Sequence, residues 1–196
     1  IGLKDFRGDA IRAFESEGWV YYGEFCIDKD PQAQAIRTKS KGLLFTQLHK
    51  DSVWSRPALA DYILIFRKPG ESVPVQPDIS NEEWIQYARP IWYGIKESDT
   101  LQYTTARENN DERHICPLQL GTIERCIRLW SNRDELILDP FAGIGSTGHE
   151  AVRLRRRFAG IELKESYFAS AVRNLRDAET KLETPTLFDL LPAASE

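Results

Sequence analysis

Few of the residues that build metal sites or disulfide frameworks occur in this sequence. Its cysteines are Cys26, Cys116 and Cys126, and no two of them form a CxxC pair. An odd number of thiols argues against a disulfide framework. The 3 histidines are far apart and share no metal-ligand spacing. We therefore expect a reduced, metal-free protein of the cytosol.

Long apolar runs are also missing. No stretch of about 18 apolar residues occurs, so we expect no membrane span, and no secretory signal opens the chain. The 196 residues are 41% hydrophobic and 29% charged, which suits one soluble domain with a sizeable core. The net charge of −4 argues mildly against a dedicated nucleic-acid-binding module, because such modules are usually basic.

Strand and helix signals alternate clearly in the second half of the chain. A helical stripe over 120–130 precedes an apolar strand at 136–138 and a glycine-rich turn. A helix over 146–156, a strand over 157–162 and a long final helix around 168–175 follow. Strands and helices that alternate with short connections predict a doubly wound α/β fold, with a mostly parallel sheet and helices on both faces.

The first half is less regular. Helical spacing predicts a helix over 5–18, and aromatic and β-branched residues predict a strand over 19–27. The apolar run 62–66 suits a strand that is buried on both faces. The stretch 28–60 is polar and basic, and prolines break up the stretch 69–113.

The clearest motif is the turn Asp139-Pro140-Phe141-Ala142-Gly143-Ile144-Gly145-Ser146-Thr147-Gly148, between a strand and a helix. Glycine lets the backbone turn sharply and lets a ligand approach the main chain. The helix that follows offers free amide groups to an anion. Glu162 ends the next strand, where a carboxylate can accept hydrogen bonds from ribose hydroxyls. Together these features predict a site for a nucleoside-containing cofactor.

Two cofactors compete for this site. Gly143-x-Gly145-x-x-Gly148 formally matches a dinucleotide fingerprint, but Glu162 follows only 14 residues after Gly148. The Asp139 carboxylate would repel a pyrophosphate and attract the ammonium group of a methionine moiety. Charge therefore favours S-adenosylmethionine over a nicotinamide dinucleotide. The alternative is a glycine-rich turn that holds no ligand.

These motifs resemble those of the DNA amino-methyltransferases, which modify adenine N6 or cytosine N4. Asp139-Pro140-Phe141-x-Gly143-x-Gly145 resembles their cofactor motif, and Gly160-Ile161-Glu162-Leu163 with Tyr167 resembles the next motif. His114-Ile115-Cys116-Pro117-Leu118-Gln119 resembles the segment that packs over the methionine end of the cofactor. Its position before the glycine-rich turn corresponds to the circularly permuted, β-type order, in which the catalytic half comes first. The resemblance implies a Rossmann-like methyltransferase fold.

The resemblance also implies an organisation along the chain. Residues 1–183 would form the methyltransferase domain, followed by a flexible tail over 184–196. Within that domain, 1–68 would be a remainder of the catalytic half, 69–113 a possible target-recognition segment and 114–183 the cofactor-binding half. The family's catalytic loop, with its Pro-Pro and aromatic residue, does not occur in these 196 residues. We expect that loop upstream and expect the chain alone, as a fragment, to be inactive.

Roles follow from the resemblance for the cofactor only; the catalytic residues stay unknown. Asp139 would face the ammonium group, Glu162 the ribose and Leu163 the adenine, while the turn would cradle the carboxylate. The implied cofactor-binding residues are Cys116, Pro117, Asp139, Pro140, Phe141, Ala142, Gly143, Gly145, Ser146, Thr147, Glu162 and Leu163. For some of them a structural role competes: Phe141 as core, Ser146 or Thr147 as a helix cap, and Cys116 as a small packed residue.

Basic side chains cluster in the polar stretch and could contact double-stranded DNA. They are Arg37, Lys39, Lys41, Lys50 and Arg56, with Trp54 nearby. A solvated loop face is the alternative. The arginines at 153 and 155–157 are instead expected to complement a helix dipole. The tail residues Leu187 and Phe188 faintly resemble peptides that dock on the replication sliding clamp.

The sequence thus predicts a site-specific DNA methyltransferase that uses S-adenosylmethionine, of the restriction-modification kind found in the cytoplasm of bacteria or in phages. Three alternatives stay open. One is a methyltransferase of RNA or protein, the second a non-catalytic module that binds nucleic acid or a partner, and the third a nicotinamide-dependent oxidoreductase. Nothing in the sequence indicates an oligomeric state.

Overall fold

A computed structural model describes residues 4–76, 78–102 and 117–184. The chain divides into two compact units. Unit 1 consists of residues 1–73 and 82–95, and unit 2 of residues 74–81 and 96–196. Among the helices in the described ranges, none is both long enough and apolar enough to cross a membrane.

Unit 1 is built on a three-stranded sheet with the order β2-β1-β3. The central strand β1 (Val20–Ile27) pairs antiparallel with β2 (Asp61–Arg67) and parallel with β3 (Ile91–Trp92). The helix α1 (Phe6–Ser16) precedes β1, and the Asp5 side chain caps it by accepting from the Gly8 amide. The predicted helix and both predicted strands of this half are confirmed. The expectation that the second strand is buried on both faces is wrong, because the residues of β2 are at most half-buried and Tyr62 is 49% exposed.

The polar stretch between β1 and β2 is more regular than its sequence suggests. It forms the helices α2 (Pro31–Thr38) and α3 (Phe45–Lys50), and single 3₁₀ turns at Lys41–Leu43 and Ser52–Trp54. Asp30 starts α2 by accepting from two backbone amides. Likewise, the prediction of an irregular stretch over 69–113 overlooked helix α4 (Asn81–Tyr87). These helices are short, so their apolar periodicity is too weak to show in the sequence.

Aromatic and aliphatic side chains form the core of unit 1. Ile27 and Trp92 are fully buried, and the Trp92 ring lies 4.8 Å from the ring of Phe25, centroid to centroid. The Trp92 indole Nε1 donates to the carbonyl of Tyr87 at 2.9 Å, as a buried indole N–H requires. The core of unit 1 is therefore held mainly by apolar contact.

Unit 2 contains the alternating elements that the sequence predicts. Helix α5 (Leu120–Trp130) leads to β4 (Leu136–Asp139), and helix α6 (Ser146–Arg153) leads to β5 (Arg157–Gly160). β4 and β5 pair in parallel, and the long helix α7 (Glu165–Glu183) follows. The core lies between these elements, with Ile123, Ile127 and Ala151 buried together against Ile137, Leu154 and Phe158.

One arginine after α6 has a different role from the expected one. We expected Arg156 to complement a helix dipole, but its guanidinium is completely buried and pairs with Asp78, with Nη1 3.0 Å from Oδ2. Nη2 donates to Asp78 and to the Ser131 carbonyl, and Nε donates to the Ser131 hydroxyl. Nη1 also donates to the Leu154 carbonyl at 2.7 Å. All five donors are therefore satisfied.

Candidate cofactor site

The glycine-rich turn begins at the carboxyl end of β4. Backbone bonds from Ile161 to Asp139 and from Ala142 to Ile161, each 2.9 Å, continue the pairing of the two strands into the turn. The Asp139 side chain adds to this, because its Oδ1 accepts from the Phe141 amide at 2.9 Å. The bend directly after the strand is thus fixed by three hydrogen bonds.

Backbone conformation requires glycine at some positions of the turn, and close packing requires it at others. Gly143 and Gly145 have φ of +56° and +85°, in the left-handed region that other residues avoid. A Cβ on Gly148 would lie 2.6 Å from the Phe158 ring, and one on Gly145 would lie 2.9 Å from Leu175. The sequence suggests that these glycines admit a ligand. The neighbours of Gly145 and Gly148 show instead that close packing inside unit 2 requires them.

Glu162, two residues after β5, is held beneath the turn by backbone amides. Its Oε2 accepts from Gly143 N at 2.9 Å, and its Oε1 accepts from Lys164 N at 2.8 Å. One carboxylate therefore ties the glycine-rich turn to the segment that follows the neighbouring strand. An ionised carboxylate has about four acceptor positions, so each oxygen can still accept one further bond from a ligand.

A cavity of about 340 Å³ opens beside the turn. Its lining residues are Pro117, Leu118, Asp139, Phe141, Ala142, Gly143, Ile144, Ser146, Thr147 and Tyr167. Asp139 is the one charged residue among them, and its Oδ2 has no hydrogen-bond partner among the described residues. The cavity thus combines a single carboxylate with apolar walls and the first residues of α6.

Most of the predicted cofactor residues meet at this cavity. Glu162 lines a smaller neighbouring cavity of about 190 Å³, which shares Ala142 with the first. Pro140, Gly145 and Leu163 line neither cavity, and Leu163 is almost fully exposed. Phe141 is 88% exposed, which argues against a role in the core of unit 2. Cys116 lies outside the described residues.

Three lining residues were not predicted as part of the site: Leu118, Ile144 and Tyr167. Ile144 is buried between Leu101 and Tyr167, and the Lys164 ammonium lies 4.4 Å from the centre of the Tyr167 ring. Tyr167 belongs to the motif Gly160-Ile161-Glu162-Leu163 with Tyr167, which resembles a motif of the family. Its spacing from Glu162 could therefore have predicted it as a site residue.

A buried carboxylate, Glu150, supports α6 behind the turn through its pair with the more exposed Arg153. The Glu150 carboxylate is buried and accepts from Arg153 Nε at 2.9 Å and contacts His149 Nδ1 at 3.0 Å. Burial acts to raise the pKa of Glu150, but the hydrogen bonds from His149 and Arg153 outweigh it, so that this pKa is lowered. The Glu150 side chain therefore stays charged and fixes the helix that carries Ser146 and Thr147.

The basic residues predicted to contact DNA lie in unit 1, between β1 and β2. Lys39, Lys41 and Lys50 are exposed. The Arg56 guanidinium donates to the Ser40 hydroxyl at 2.7 Å and reaches the Pro57 carbonyl. Trp54 is exposed on the second 3₁₀ turn. The side chain of Arg37 and the tail residues Leu187 and Phe188 lie outside the part of the chain that the structure describes.

Comparisons with known proteins show which protein family the chain resembles. The profile of the N6_N4_Mtase family, described as DNA methylase, matches residues 13–173. The chain is 30% identical to the type II methyltransferase M.BglI of Bacillus subtilis over 165 aligned residues. The alignment covers 84% of this chain and 41% of that protein. The chain thus spans less than half the length of this relative.

Two solved structures share the fold. TTHA0409 of Thermus thermophilus, complexed with S-adenosyl-L-methionine, has a TM-score of 0.61 at 21% identity, over 89% of this chain and 61% of that one. The cytosine-N4-specific PvuII DNA methyltransferase has a TM-score of 0.56 at 19% identity, over 88% and 61%. These likenesses confirm the predicted doubly wound α/β methyltransferase fold. Because the profile matches most of its length, the chain belongs to the N6/N4 DNA methylase family.

Proposed function

We propose that the protein containing this chain transfers a methyl group from S-adenosylmethionine to the exocyclic amino group of adenine (N6) or cytosine (N4) in double-stranded DNA. The observation that carries the proposal is the pair of acids at the ends of β4 and β5. Asp139 faces the 340 Å³ cavity, and Glu162 is anchored under the same turn. Membership of the DNA methylase family supports the same reading.

The residues present fit S-adenosylmethionine by charge. The Asp139 carboxylate is the one charge among the described lining residues and suits the ammonium group of a methionine moiety. The first amides of α6, at Ser146 and Thr147, suit its carboxylate. Glu162 keeps free acceptor positions for ribose hydroxyls, and Leu163 offers an exposed apolar side chain to an adenine. Pro117 would close one side.

A dinucleotide fits less well. Its pyrophosphate would lie near Asp139, and no lysine or arginine is among the described residues that line the cavity. A buried or half-buried carboxylate beside a phosphate is strongly unfavourable without a cation between them. The same charge argument therefore disfavours the nicotinamide-dependent alternative.

The chemistry divides between the cofactor and the protein. When bound, S-adenosylmethionine supplies an electrophilic methyl group on a sulfonium centre. The residues of this chain hold and orient the cofactor and exclude water from it, which are the usual protein contributions to such a transfer. A base inside a duplex cannot reach the methyl group, so the target nucleotide has to leave the base stack.

Calorimetry with S-adenosylhomocysteine tests the cofactor assignment. We expect the chain to bind this product analogue and to ignore NAD. Asp139→Asn should weaken the affinity roughly tenfold or more, because a hydrogen bond to a charged group contributes about 1.5–3 kcal/mol. Glu162→Gln should also weaken it. Glu165→Gln, an exposed acid on α7, is the matched control and should change nothing. Unchanged affinity in both acid variants would refute the assignment.

We further propose that Lys41 and Lys50 contact DNA phosphates. Both are exposed within the basic stretch of unit 1, and each phosphate contact releases bound counterions. Replacing both with alanine should weaken DNA binding uniformly across sequences and should reduce the slope of log Kd against log salt by about two. Lys68→Ala, an exposed lysine after β2, is the control. An unchanged slope in the double variant would exclude these contacts.

A methylation assay on DNA tests which base is the target. Methylation of defined DNA by the full-length protein, followed by nucleoside analysis, should yield N6-methyladenine or N4-methylcytosine. Formation of C5-methylcytosine, or methylation of RNA alone, would contradict the proposal. M.BglI is named a type II methyltransferase, so we place the protein on the modification side of a restriction-modification system.

A further inference from the structure

One amide side chain interrupts the apolar stripe of α7. Ala171, Leu175 and Ala178 recur at helical spacing along this helix, and Asn174 falls on the same stripe. The two alanines are buried, and Asn174 and Leu175 are partly buried. An amide on a packed stripe loses part of its contact with water, so hydrogen bonds to the protein have to replace that contact.

The partner of Asn174 lies in the glycine-rich turn. Its Nδ2 donates to the carbonyl of Ile144 at 2.8 Å, across 30 positions of sequence. No other hydrogen bond to this carbonyl occurs among the described residues. Ile144 is buried and packs against Leu101 and Tyr167. A carbonyl that lost Asn174 would therefore be left without a donor in a buried place.

The turn also packs closely against the same stripe of α7. A Cβ on Gly145 would lie 2.9 Å from the side chain of Leu175 and 3.0 Å from that of Ala171. Gly145 thus lies directly against the helix, one residue after the carbonyl that Asn174 holds. The apolar side chains supply close packing, and the amide supplies direction, because a hydrogen bond has a preferred angle.

Local sterics do not fix the peptide unit that joins Ile144 to Gly145. A glycine stands on each side of Ile144, with φ of +56° at Gly143 and +85° at Gly145, and glycine restricts its own dihedral angles little. Hydrogen bonds fix this unit at both ends instead. The Gly145 amide donates to the Ala142 carbonyl at 2.8 Å, and the Ile144 carbonyl accepts from Asn174, which is the bond that comes from outside the turn.

We propose that Asn174 is a positioning residue for the methionine end of the cofactor. The peptide unit that it holds leads directly into Ser146 and Thr147, which begin α6, and Ile144 itself lines the 340 Å³ cavity. Asn174 is not among the described residues that line this cavity, so it acts through the turn. The inference rests on the proposed function, in which the first amides of α6 bind the methionine carboxylate.

Calorimetry with two ligands tests this role. S-adenosylhomocysteine carries the amino-acid group, whereas 5′-methylthioadenosine keeps the adenosine and lacks that group. Asn174→Leu removes the donor but keeps a side chain of similar size. Its affinity for S-adenosylhomocysteine should fall roughly tenfold, because a buried carbonyl loses its partner. Its affinity for 5′-methylthioadenosine, measured by competition, should stay unchanged.

Ser170→Ala is the matched control on the same helix. Ser170 is also buried and hydrogen-bonded, but its hydroxyl donates to the Ser166 carbonyl and accepts from Arg173, so both bonds stay within α7. This variant should bind both compounds like the wild-type chain. Asn174→Asp keeps the shape of the side chain but cannot donate when ionised. It should also lose affinity for S-adenosylhomocysteine, and it replaces Asn174→Leu as the test if the leucine variant fails to fold.

Amide hydrogen exchange at Gly145 gives an independent readout. This amide belongs to the same peptide unit as the Ile144 carbonyl, so its exchange should accelerate in Asn174→Leu and keep the wild-type rate in Ser170→Ala. Unchanged exchange, unchanged affinity for S-adenosylhomocysteine, or equal losses for the two compounds would each overturn the proposal and leave the proposed function standing. A wild-type chain that does not bind S-adenosylhomocysteine contradicts the proposed function itself.

Discussion

The two units of this chain differ in how far water reaches their ion pairs. Unit 2 buries ionic groups and satisfies them: Arg156 uses all five donors, and the buried Glu150 carboxylate bonds to Arg153 and contacts His149. Unit 1 keeps an aromatic and aliphatic core around Trp92, and its ion pairs reach water: Arg7–Glu24 is half-buried, and Lys29, though buried, pairs with the exposed Asp61 carboxylate. Removing one partner of a buried ion pair lowers the stability of the fold strongly. An exposed charge contributes little to stability and can bind a charged ligand.

The difference corresponds to what each unit is proposed to bind. In unit 2 the charged groups hold a turn and a helix in the geometry that a small cofactor needs. In unit 1 the exposed lysines remain available to a polyanion, as does Arg56, which bonds to Ser40 and Pro57 but to no carboxylate among the described residues. The comparison teaches that a protein with a net charge of −4 can still carry exposed lysines, here at positions 39, 41 and 50 of one stretch.

The largest effect should follow from removing a buried partner in unit 2. Asp78→Ala leaves the Arg156 guanidinium buried without its carboxylate, which should lower the free energy of unfolding by about 3–5 kcal/mol. Glu24→Ala in unit 1 should lower it less, because water reaches both members of the Arg7–Glu24 pair. Urea denaturation measures both. Equal losses in the two variants would erase the distinction between the units.

A second comparison uses glycines. Gly148→Ala in unit 2 forces a methyl group to within 2.6 Å of the Phe158 ring and should cost about 1–3 kcal/mol of unfolding free energy, as overpacking usually does. A Cβ on Gly23 in unit 1 meets nothing within 4 Å, so Gly23→Ala should be close to neutral. Thermal melting of the two variants measures the difference: the melting temperature should fall for Gly148→Ala and stay close to that of the wild-type chain for Gly23→Ala. A stable Gly148→Ala variant would mean that the contact with Phe158 relaxes easily.

Acid should weaken the buried pair through Asp78. The hydrogen bond from Arg156 lowers the pKa of Asp78 in the folded chain. Its contribution is therefore complete above the unfolded pKa of about 4 and is lost as the pH falls through the lower folded value. Urea titrations between pH 5 and pH 2 should show a shallower loss of stability for Asp78→Asn than for the wild-type chain. Parallel curves would show that another group controls acid unfolding.

The smallest effect concerns thiol chemistry. Burial raises the pKa of Cys126 in unit 2 to about 12, so little thiolate forms near neutral pH. Cys26 in unit 1 lines a cavity of about 650 Å³, from which a small reagent can approach it. At pH 8, peptide mapping after iodoacetamide should find Cys26 modified well before Cys126. The reverse order would show that α5 opens more readily than its packing suggests.

The sequence predicts unit 2 better than unit 1 because the signals of unit 2 are local. A strand, a glycine-rich turn and a helix follow one another over consecutive residues, so periodicity and turn chemistry suffice. Helix α6 ends at Arg153 rather than at the predicted 156, and Arg155 directly after it has φ of +59°. In unit 1, α2 is short and depends on the Asp30 cap, so its apolar pattern is weak.

Long-range pairings explain the rest of what the sequence missed. Arg156 and Asp78 lie 78 positions apart, and nothing in a single sequence connects them. The same holds for the Gln34 side chain, which bonds both the amide and the carbonyl of Leu59. The acids Asp139 and Glu162 were predictable from their strand ends. That Glu162 would hold the Gly143 amide was not, because it depends on where the turn folds back.

That bond between Gly143 and Glu162 bears on the thermodynamics of ligand capture. Because the turn is already fastened to the neighbouring strand end, little backbone freedom remains for an arriving molecule to freeze. Binding of a ligand at this end of the sheet should then carry only a small conformational entropy cost, because the turn is already preorganised. Amide hydrogen exchange at Gly143 should accordingly be slow before any ligand is added.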